Sequence, residues 1–240
     1  MKKINLLLLA ACTTFTLTSH VWAKESHAQN LAVISPAITP APVVDVDYKV
    51  LAEVLAPADA QKIEVIEFFW YGCPHCYHLE PSIELWMKEQ KKDVVVRRVP
   101  VAFNEKLLSN SQLYYTLEQM VELMKITPAE KQEKLRQLHL KVFEAFHKDR
   151  QPLMTEKEIF KWAAKQGLEE KEFERMFRSF GVVTKVKMAQ ATFEKARLDG
   201  VPALLVQGKY VTSPAITGGS QERTIVVLKW LVEQIRNKKM

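Results

Sequence analysis

Hydrophobic residues in the first half of the chain predict a strand, a helix and a second strand. Residues 63–69 (IEVIEFF) are apolar on both faces and rich in β-branched and aromatic side chains, as in a central strand of a covered sheet. A helix is predicted from Cys73 to about Gln90, and a second strand over 94–102 (VVVRRVPVA). Parallel strands need such a crossover helix, so this segment predicts a βαβ unit and an α/β core.

The middle of the chain changes to helical spacing. Apolar residues recur every three or four positions, and Thr127 and Thr155 stand where helix N-caps are expected. The middle of the chain is therefore predicted to be all-helical. The predicted helices are 109–125, 131–148, 155–166, 169–179 and 181–199.

The last part of the chain returns to the strand pattern. A short apolar strand is predicted over 203–206, a turn follows at Gln207-Gly208, and a second strand is centred on Tyr210 and Val211. A terminal amphipathic helix is predicted over 221–238. The helical stretch therefore lies between two parts of an α/β core.

The N-terminus has the pattern of an export signal. A positive start precedes a mostly apolar stretch over 6–17 that is too short to span a bilayer, and a peptidase site ends at Ala23. Residues 1–23 are therefore interpreted as a signal peptide, and 24–44 as a flexible leader. A second interpretation stays open, because the sequence LAAC ending at Cys12 resembles a lipobox, which would make the chain a lipoprotein.

Composition excludes several classes of protein. The formal charge of +6 comes from 34 basic and 28 acidic residues, without the Lys/Arg tract typical of a nucleic-acid partner. No segment after the signal is long and apolar enough to cross a membrane. The chain has 3 cysteines, too few for a disulfide scaffold, and an exported chain works in an oxidising compartment. Attention therefore turns to the pair Cys73 and Cys76.

The segment Cys73-Pro74-His75-Cys76 follows the strand and opens the helix, so both sulfurs lie within one helical turn. Unpaired N–H groups at a helix N-terminus favour a thiolate at Cys73, and a protonated His75 adds to that preference. A stabilised thiolate favours the reduced form and makes the disulfide a stronger oxidant. We therefore expect disulfide donation, with Cys73 attacked by a substrate thiolate and Cys76 resolving the mixed disulfide.

Two other uses of the cysteine pair stay open at this point. A purely structural disulfide would close a very small ring and gain little from loop closure. A zinc site would combine the cysteines with His75 or His78, but the other histidines, His139 and His147, do not have the spacing of a second ligand pair. No metal or other cofactor is therefore expected beyond the redox-active disulfide Cys73–Cys76.

Three segments resemble the DsbA family of bacterial periplasmic thiol:disulfide oxidoreductases. Residues 67–77 (EFFWYGCPHCY) resemble its active-site segment, 200–210 (GVPALLVQGKY) its cis-proline loop and hairpin, and 98–103 (RVPVAF) a further stretch. The resemblance runs from about Tyr48 to the C-terminus. It implies a thioredoxin fold with an inserted all-helical domain. The implied bounds are 45–105 and 182–240 for the thioredoxin-like parts and 106–181 for the insert.

The resemblance also implies roles for individual residues. Val201-Pro202 would form a cis peptide opposite the cysteines, where the Val201 backbone would pair with an extended substrate. Glu67, on a strand expected to be buried, would accept the proton of Cys76 during resolution, although a solvated acid is the alternative. Pro74 and His75 are implied as site residues because they lie between the two cysteines of the Cys73–Cys76 motif.

The resemblance implies partners as well. These are unfolded or partly folded exported proteins with reduced cysteines, and a membrane reoxidant similar to DsbB, with the chain itself a monomer. Two other functions stay open: a disulfide isomerase or reductase of the same fold, and a non-catalytic, lipid-tethered peptide-binding protein.

Overall fold

A computed structural model describes residues 40–239, and within this range the chain forms one mixed sheet and seven α-helices. The strand order is β1-β5-β4-β2-β3, with β2 and β3 parallel and the other neighbours antiparallel. The strands are β1 (Lys49–Val50), β2 (Ile63–Phe69), β3 (Val94–Pro100), β4 (Ala203–Val206) and β5 (Tyr210–Thr212).

Helix α1 is the crossover between the two parallel strands, as the βαβ pattern predicts, and α2 to α6 lie between β3 and β4. The helix predicted over 181–199 ends earlier, because Arg197 adopts a left-handed φ of 49° that stops it. The helices are α1 (Pro74–Lys88), α2 (Leu108–Glu122), α3 (Pro128–His147), α4 (Glu156–Lys165), α5 (Glu170–Phe177), α6 (Phe180–Lys195) and α7 (Gln221–Arg236).

Two of the inserted helices begin with the predicted N-caps. Thr127 accepts a hydrogen bond from the Glu130 N–H at the start of α3, and the Glu130 side chain accepts one from the Thr127 N–H. Thr155 and Glu158 form the same reciprocal capping box on α4. Each cap satisfies backbone donors that a helix otherwise leaves unpaired, and stabilises its helix by about 1 kcal/mol.

Strand β2 is buried along its whole length because both faces of the sheet are covered. Ile66 and Phe68 belong to a cluster that includes the inserted helices, whereas Val65 belongs to a cluster formed with α1 and α7. This central position explains the continuous apolar pattern of the strand. The residues after Phe69 lie at the C-terminal end of β2, close to the start of α1.

The features predicted for the N-terminus lie mostly outside the described residues. Cleavage after Ala23, lipidation of Cys12 and most of the leader over 24–44 fall within residues 1–39. The last leader residues are described: the Val43 N–H donates to Asp47, and the Pro40 carbonyl accepts from Arg223. Within 40–239, no helix combines the length and the apolar character needed to cross a bilayer.

Candidate active site

The turn from Trp70 to Cys73 brings the chain from β2 into α1. The Cys73 N–H donates to the Trp70 carbonyl at 3.0 Å, and Cys73 is the N-cap of α1 with extended φ and ψ of −83° and 115°. Pro74 occupies the first turn of α1, where its missing N–H has no partner to lose. A Cβ on Gly72 would lie 2.3 Å from the Trp70 indole, so only glycine lets that ring fold over the turn.

The environment of Cys73 favours its thiolate. A hydrogen bond from the Cys76 thiol is the largest of the influences that lower the pKa of Cys73 to about 6. The backbone N–H groups of Cys76 and His75 and the charge of His75 act in the same direction, against the effect of burial. At neutral pH, Cys73 is therefore mainly a thiolate.

Cys76 has the opposite character. Only 1% of this residue is exposed, and burial raises the pKa of its thiol far above the ordinary value. Its contact with Cys73 raises the pKa of Cys76 further, and the nearby Glu67 charge adds to the effect. The two sulfurs thus differ strongly: Cys73 readily carries negative charge and Cys76 stays protonated. Both are free thiols in this structure.

The loop before β4 faces the first cysteine. The Val201–Pro202 peptide bond is cis, as the resemblance implied. The Val201 carbonyl oxygen lies 3.5 Å from the Cys73 sulfur and accepts a hydrogen bond from it only when Cys73 is protonated. A cleft of about 660 Å³ runs beside this contact, with His75 and Val201 in its lining. Its apolar lining includes Leu51, Leu198, Pro202 and Ile216.

A buried ionic cluster lies behind the cysteines. Glu67 on β2 lies beside Arg98 in the parallel register of β3, and the Arg98 Nε donates to Glu67 at 3.0 Å. The Nη2 of Arg98 donates to Glu80 at 2.6 Å and to Glu84 at 2.7 Å, both on α1. One guanidinium therefore contacts three carboxylates, and Arg136 lies 3.7 Å from Glu84 as a second positive group.

Glu67 is not a solvated acid, because only 1% of it is exposed. Burial, followed by the negative charge of Glu80, raises the pKa of Glu67 to about 7, against the opposing influence of Arg98. Within residues 40–239, the Oε1 atom of Glu67 has no hydrogen-bond partner. This carboxyl group can therefore gain or lose a proton near neutral pH.

Two histidines of α3 contact the segment before Cys73. The fully buried His139 shares a hydrogen bond of 2.9 Å between its Nδ1 and the Tyr71 hydroxyl. The His147 Nε2 donates to the Tyr71 carbonyl at 2.8 Å. Across residues 40–239, no group of three His, Cys, Asp or Glu side chains is arranged to hold a metal ion.

The structure therefore places the predicted site residues in one region, with Glu67 beneath it. Sequence reasoning did not assign a role to Arg98, Glu80, Glu84 or His139. The signal in the sequence was a charged residue, Arg98, within an otherwise apolar strand, together with Glu80 and Glu84 on the side of the predicted helix α1 that packs on the sheet. Of the predicted site residues, His75, Val201 and Pro202 line the cleft, Cys73 contacts the Val201 carbonyl, and Pro74 and Cys76 lie in the first turn of α1.

The helix that follows β2, an interior strand of this mixed sheet, begins with two cysteines of opposite acidity. This arrangement defines a thioredoxin-fold thiol:disulfide oxidoreductase. The family model described as DSBA-like thioredoxin domain matches residues 64–226. The chain belongs to the DsbA family, and its activity is thiol:disulfide interchange.

Relatives and solved structures agree with this assignment. The thiol:disulfide interchange protein DsbA of Burkholderia cepacia is 40% identical over 89% of this chain and 93% of its own length. That of Bordetella parapertussis is 41% identical over 75% of this chain and 80% of its own length. The crystal structure of Pseudomonas aeruginosa DsbA, 30% identical, has a TM-score of 0.72 and covers 82% of this chain and 96% of its own. Reduced DsbA1 from Neisseria meningitidis, 25% identical, has a TM-score of 0.69 and covers 83% of this chain and 98% of its own.

Proposed function

We propose that this chain is a periplasmic dithiol oxidase that passes its Cys73–Cys76 disulfide to exported proteins as they fold. The observation that carries this proposal is the opposite displacement of the two cysteine pKa values, to about 6 for Cys73 and far upward for Cys76. A low pKa at Cys73 stabilises the reduced form relative to the disulfide. The oxidised protein therefore gives up its disulfide readily.

The exchange follows from the geometry of the pair. A substrate thiolate attacks the Cys73 sulfur, the Cys73–Cys76 bond breaks, and a mixed disulfide with Cys73 forms. The Cys76 sulfur leaves with the bonding electrons and takes up a proton, because its pKa is high. A second substrate thiolate then attacks the substrate sulfur of the mixed disulfide and releases Cys73 as a thiolate. The substrate is oxidised by two electrons and the cysteine pair is reduced.

Glu67 donates a proton to the buried Cys76 sulfur and accepts it back. Its pKa of about 7, and an Oε1 that has no hydrogen-bond partner among residues 40–239, allow it to supply a proton to Cys76 on reduction. It takes the proton back when Cys76 attacks during reoxidation or resolution. The charge of Glu67 also raises the pKa of Cys76, so the two groups interact electrostatically.

Substrate is held by the backbone beside the cleft. The Val201 carbonyl lies 3.5 Å from the Cys73 sulfur, so an extended segment that brings its own sulfur to Cys73 can pair with Val201. Because backbone pairing does not depend on the substrate side chains, it accepts many different sequences. We therefore propose unfolded or partly folded exported proteins with reduced cysteines as substrates, and a DsbB-like membrane protein as reoxidant.

Export would proceed through the predicted signal peptide. The proposed mature chain begins at Lys24, carries no cofactor besides the cysteine pair and acts as a monomer, which is supported by a site built within one chain. Mass spectrometry of the mature N-terminus tests the export route. A chain beginning at Lys24 excludes an acylated Cys12, and an acylated Cys12 contradicts cleavage after Ala23.

The test of the mechanism uses the two single cysteine variants in reduced form with an unfolded substrate that carries a disulfide, so that cleavage of the substrate disulfide balances formation of the mixed disulfide. We expect Cys76→Ser to accumulate a mixed disulfide through Cys73, and Cys73→Ser to capture none. The reverse pattern would reverse the assigned roles. The equilibrium of the wild-type pair with glutathione separates an oxidase from a reductase: a pair as reducing as a structural disulfide would contradict the proposal.

A further inference from the structure

The turn before Cys73 has a central peptide that is free to rotate unless something holds it. The hydrogen bond from Cys73 to Trp70 closes a β-turn over residues 70–73, and the Tyr71–Gly72 peptide is its central unit. Rotation of a central peptide converts one turn type into another while the ends stay in place, and the rotated form needs a positive φ at the third residue. Glycine permits both forms. Gly72 has a negative φ here, so the turn is in the unrotated form.

His147 holds this central peptide from the inserted helices. Its Nε2 lies 2.8 Å from the Tyr71 oxygen. A carbonyl only accepts, so Nε2 carries the hydrogen whether or not the imidazole is also protonated at Nδ1. Rotation of the Tyr71–Gly72 peptide would turn the Tyr71 carbonyl away and bring the Gly72 N–H towards the His147 Nε2–H. Two donors cannot form a hydrogen bond with each other. The bond therefore selects one form of the turn.

The His147 ring is held in place by the helix that carries the cysteines. It stacks on Tyr77 of α1 with ring centroids 4.8 Å apart and an angle of 10° between the planes. His147 thus contacts the residues on both sides of the Cys73–Cys76 motif, Tyr71 before it and Tyr77 after it. His139 does not duplicate this function, because it bonds the Tyr71 hydroxyl and leaves the carbonyl free.

The orientation of the turn determines how Cys73 is presented. Cys73 is the N-cap residue of α1, and the backbone N–H groups of His75 and Cys76 lower the pKa of its thiol. These donors stabilise the thiolate only while the N-cap geometry is kept. A turn that alternates between two forms would move Cys73 relative to α1 and weaken the alignment.

We propose that His147 is a positioning residue for thiol:disulfide exchange: its hydrogen bond to the Tyr71 carbonyl fixes the turn that presents Cys73. The inserted helices then set the reactivity of the cysteine pair through the last turn of α3. This inference rests on the proposed function, in which Cys73 is the attacked sulfur.

Two substitutions separate the hydrogen bond from the ring stack. His147→Phe keeps a ring against Tyr77 and removes the donor. His147→Gln removes the ring and keeps an amide N–H at the position of Nε2. His78→Phe is the matched control, because His78 is exposed and also borders Tyr77, at 5.8 Å, and no hydrogen bond joins it to the turn within residues 40–239.

The readouts are the rate constant for exchange with a reduced peptide and the thiolate titration of Cys73. We expect His147→Phe to lower the rate constant by about threefold to tenfold, the range that corresponds to one lost hydrogen bond, and to raise the pKa of Cys73. His147→Gln should stay close to wild type in both, and His78→Phe should change neither. A purely structural role would lower the melting temperature without changing this titration.

Two results would overturn the inference: His147→Phe matching His78→Phe in both readouts, or His147→Gln being as impaired as His147→Phe. An ordinary pKa for Cys73 in the wild type would instead contradict the proposed function. Should His147→Phe fail to fold, nitrogen NMR of the wild-type protein decides. The inference requires hydrogen on Nε2, and a neutral ring with hydrogen only on Nδ1 contradicts it.

Discussion

Replacement of Glu67 by Gln should make the protein more stable at neutral and alkaline pH. The folded state raises the pKa of this carboxyl from 4.5 to about 7, mainly through burial and then through the charge of Glu80. In the unfolded chain the same group loses its proton near 4.5. Between these two values the native state binds more protons than the unfolded state, so stability falls as the pH rises.

The size of the effect follows from the pKa. A rise from 4.5 to about 7 corresponds to about 3 kcal/mol of lost stability, fully developed above pH 7 and absent below pH 4.5. Gln has nearly the same shape and can still accept the hydrogen bond from the Arg98 Nε. Arg98 also keeps its bonds to Glu80 and Glu84, so the variant does not leave a buried charge without a partner.

Urea unfolding of the reduced protein, measured from pH 4.5 to pH 8, checks this prediction. The wild type and Glu67→Gln should be equally stable at the acidic end and diverge as the pH rises, with the variant the more stable. Glu158→Gln is a control of opposite sign. Hydrogen bonds from Thr155 hold the pKa of Glu158 below 4.5, so this carboxyl stays ionised from pH 4.5 to pH 8 and Glu158→Gln should reduce stability by a similar amount throughout the range. A Glu67→Gln difference that is the same at every pH would show that the pKa of Glu67 is not raised by folding.

Two further substitutions test how the site presents Cys73. His75→Gln should raise the pKa of Cys73 and make the disulfide a weaker oxidant, because the positive charge of His75 helps lower that pKa; thiolate titration and the glutathione equilibrium measure both. Gly72→Ala should lower the free energy of unfolding by about 1–3 kcal/mol, because the new Cβ would lie 2.3 Å from the Trp70 indole.

Controls for these substitutions come from the same chain. Gly181→Ala in α6 adds a methyl group with its nearest neighbour at 3.7 Å, so it should not destabilise the protein. Equal losses for the two glycine variants would contradict the clash at Gly72. For His75, a matched His78→Gln variant should leave the Cys73 titration unchanged, and a similar change in both would show that the charge of His75 has no specific effect.

The elements with strong local patterns were predictable from the sequence. The apolar run over 63–69 became β2, and the Thr127 and Thr155 caps became the starts of α3 and α4. The strand, turn and helix around Cys73 follow from local preferences of the same kind. β1 was not predicted, because a strand of two residues has no period to detect.

The ionic cluster could not be predicted because it depends on contacts between distant segments. Arg98 and Glu67 become neighbours only through the register of two parallel strands, and Glu80 approaches only when α1 packs on the sheet. The acidity of Glu67 therefore depends on tertiary structure. The contact of His147 with the Tyr71 carbonyl likewise joins α3 to a turn far away in the sequence.

The fold makes Cys73 a stable thiolate and keeps Cys76 protonated, and the chemistry of the pair depends on this difference. Titration of the reduced protein, followed by the ultraviolet absorbance of the thiolate and assigned with Cys76→Ser, measures the pKa of Cys73. We predict that one sulfur loses its proton with a pKa of about 6 and that Cys73 is this sulfur. A Cys73 that titrates near 9, the ordinary value, would contradict the account.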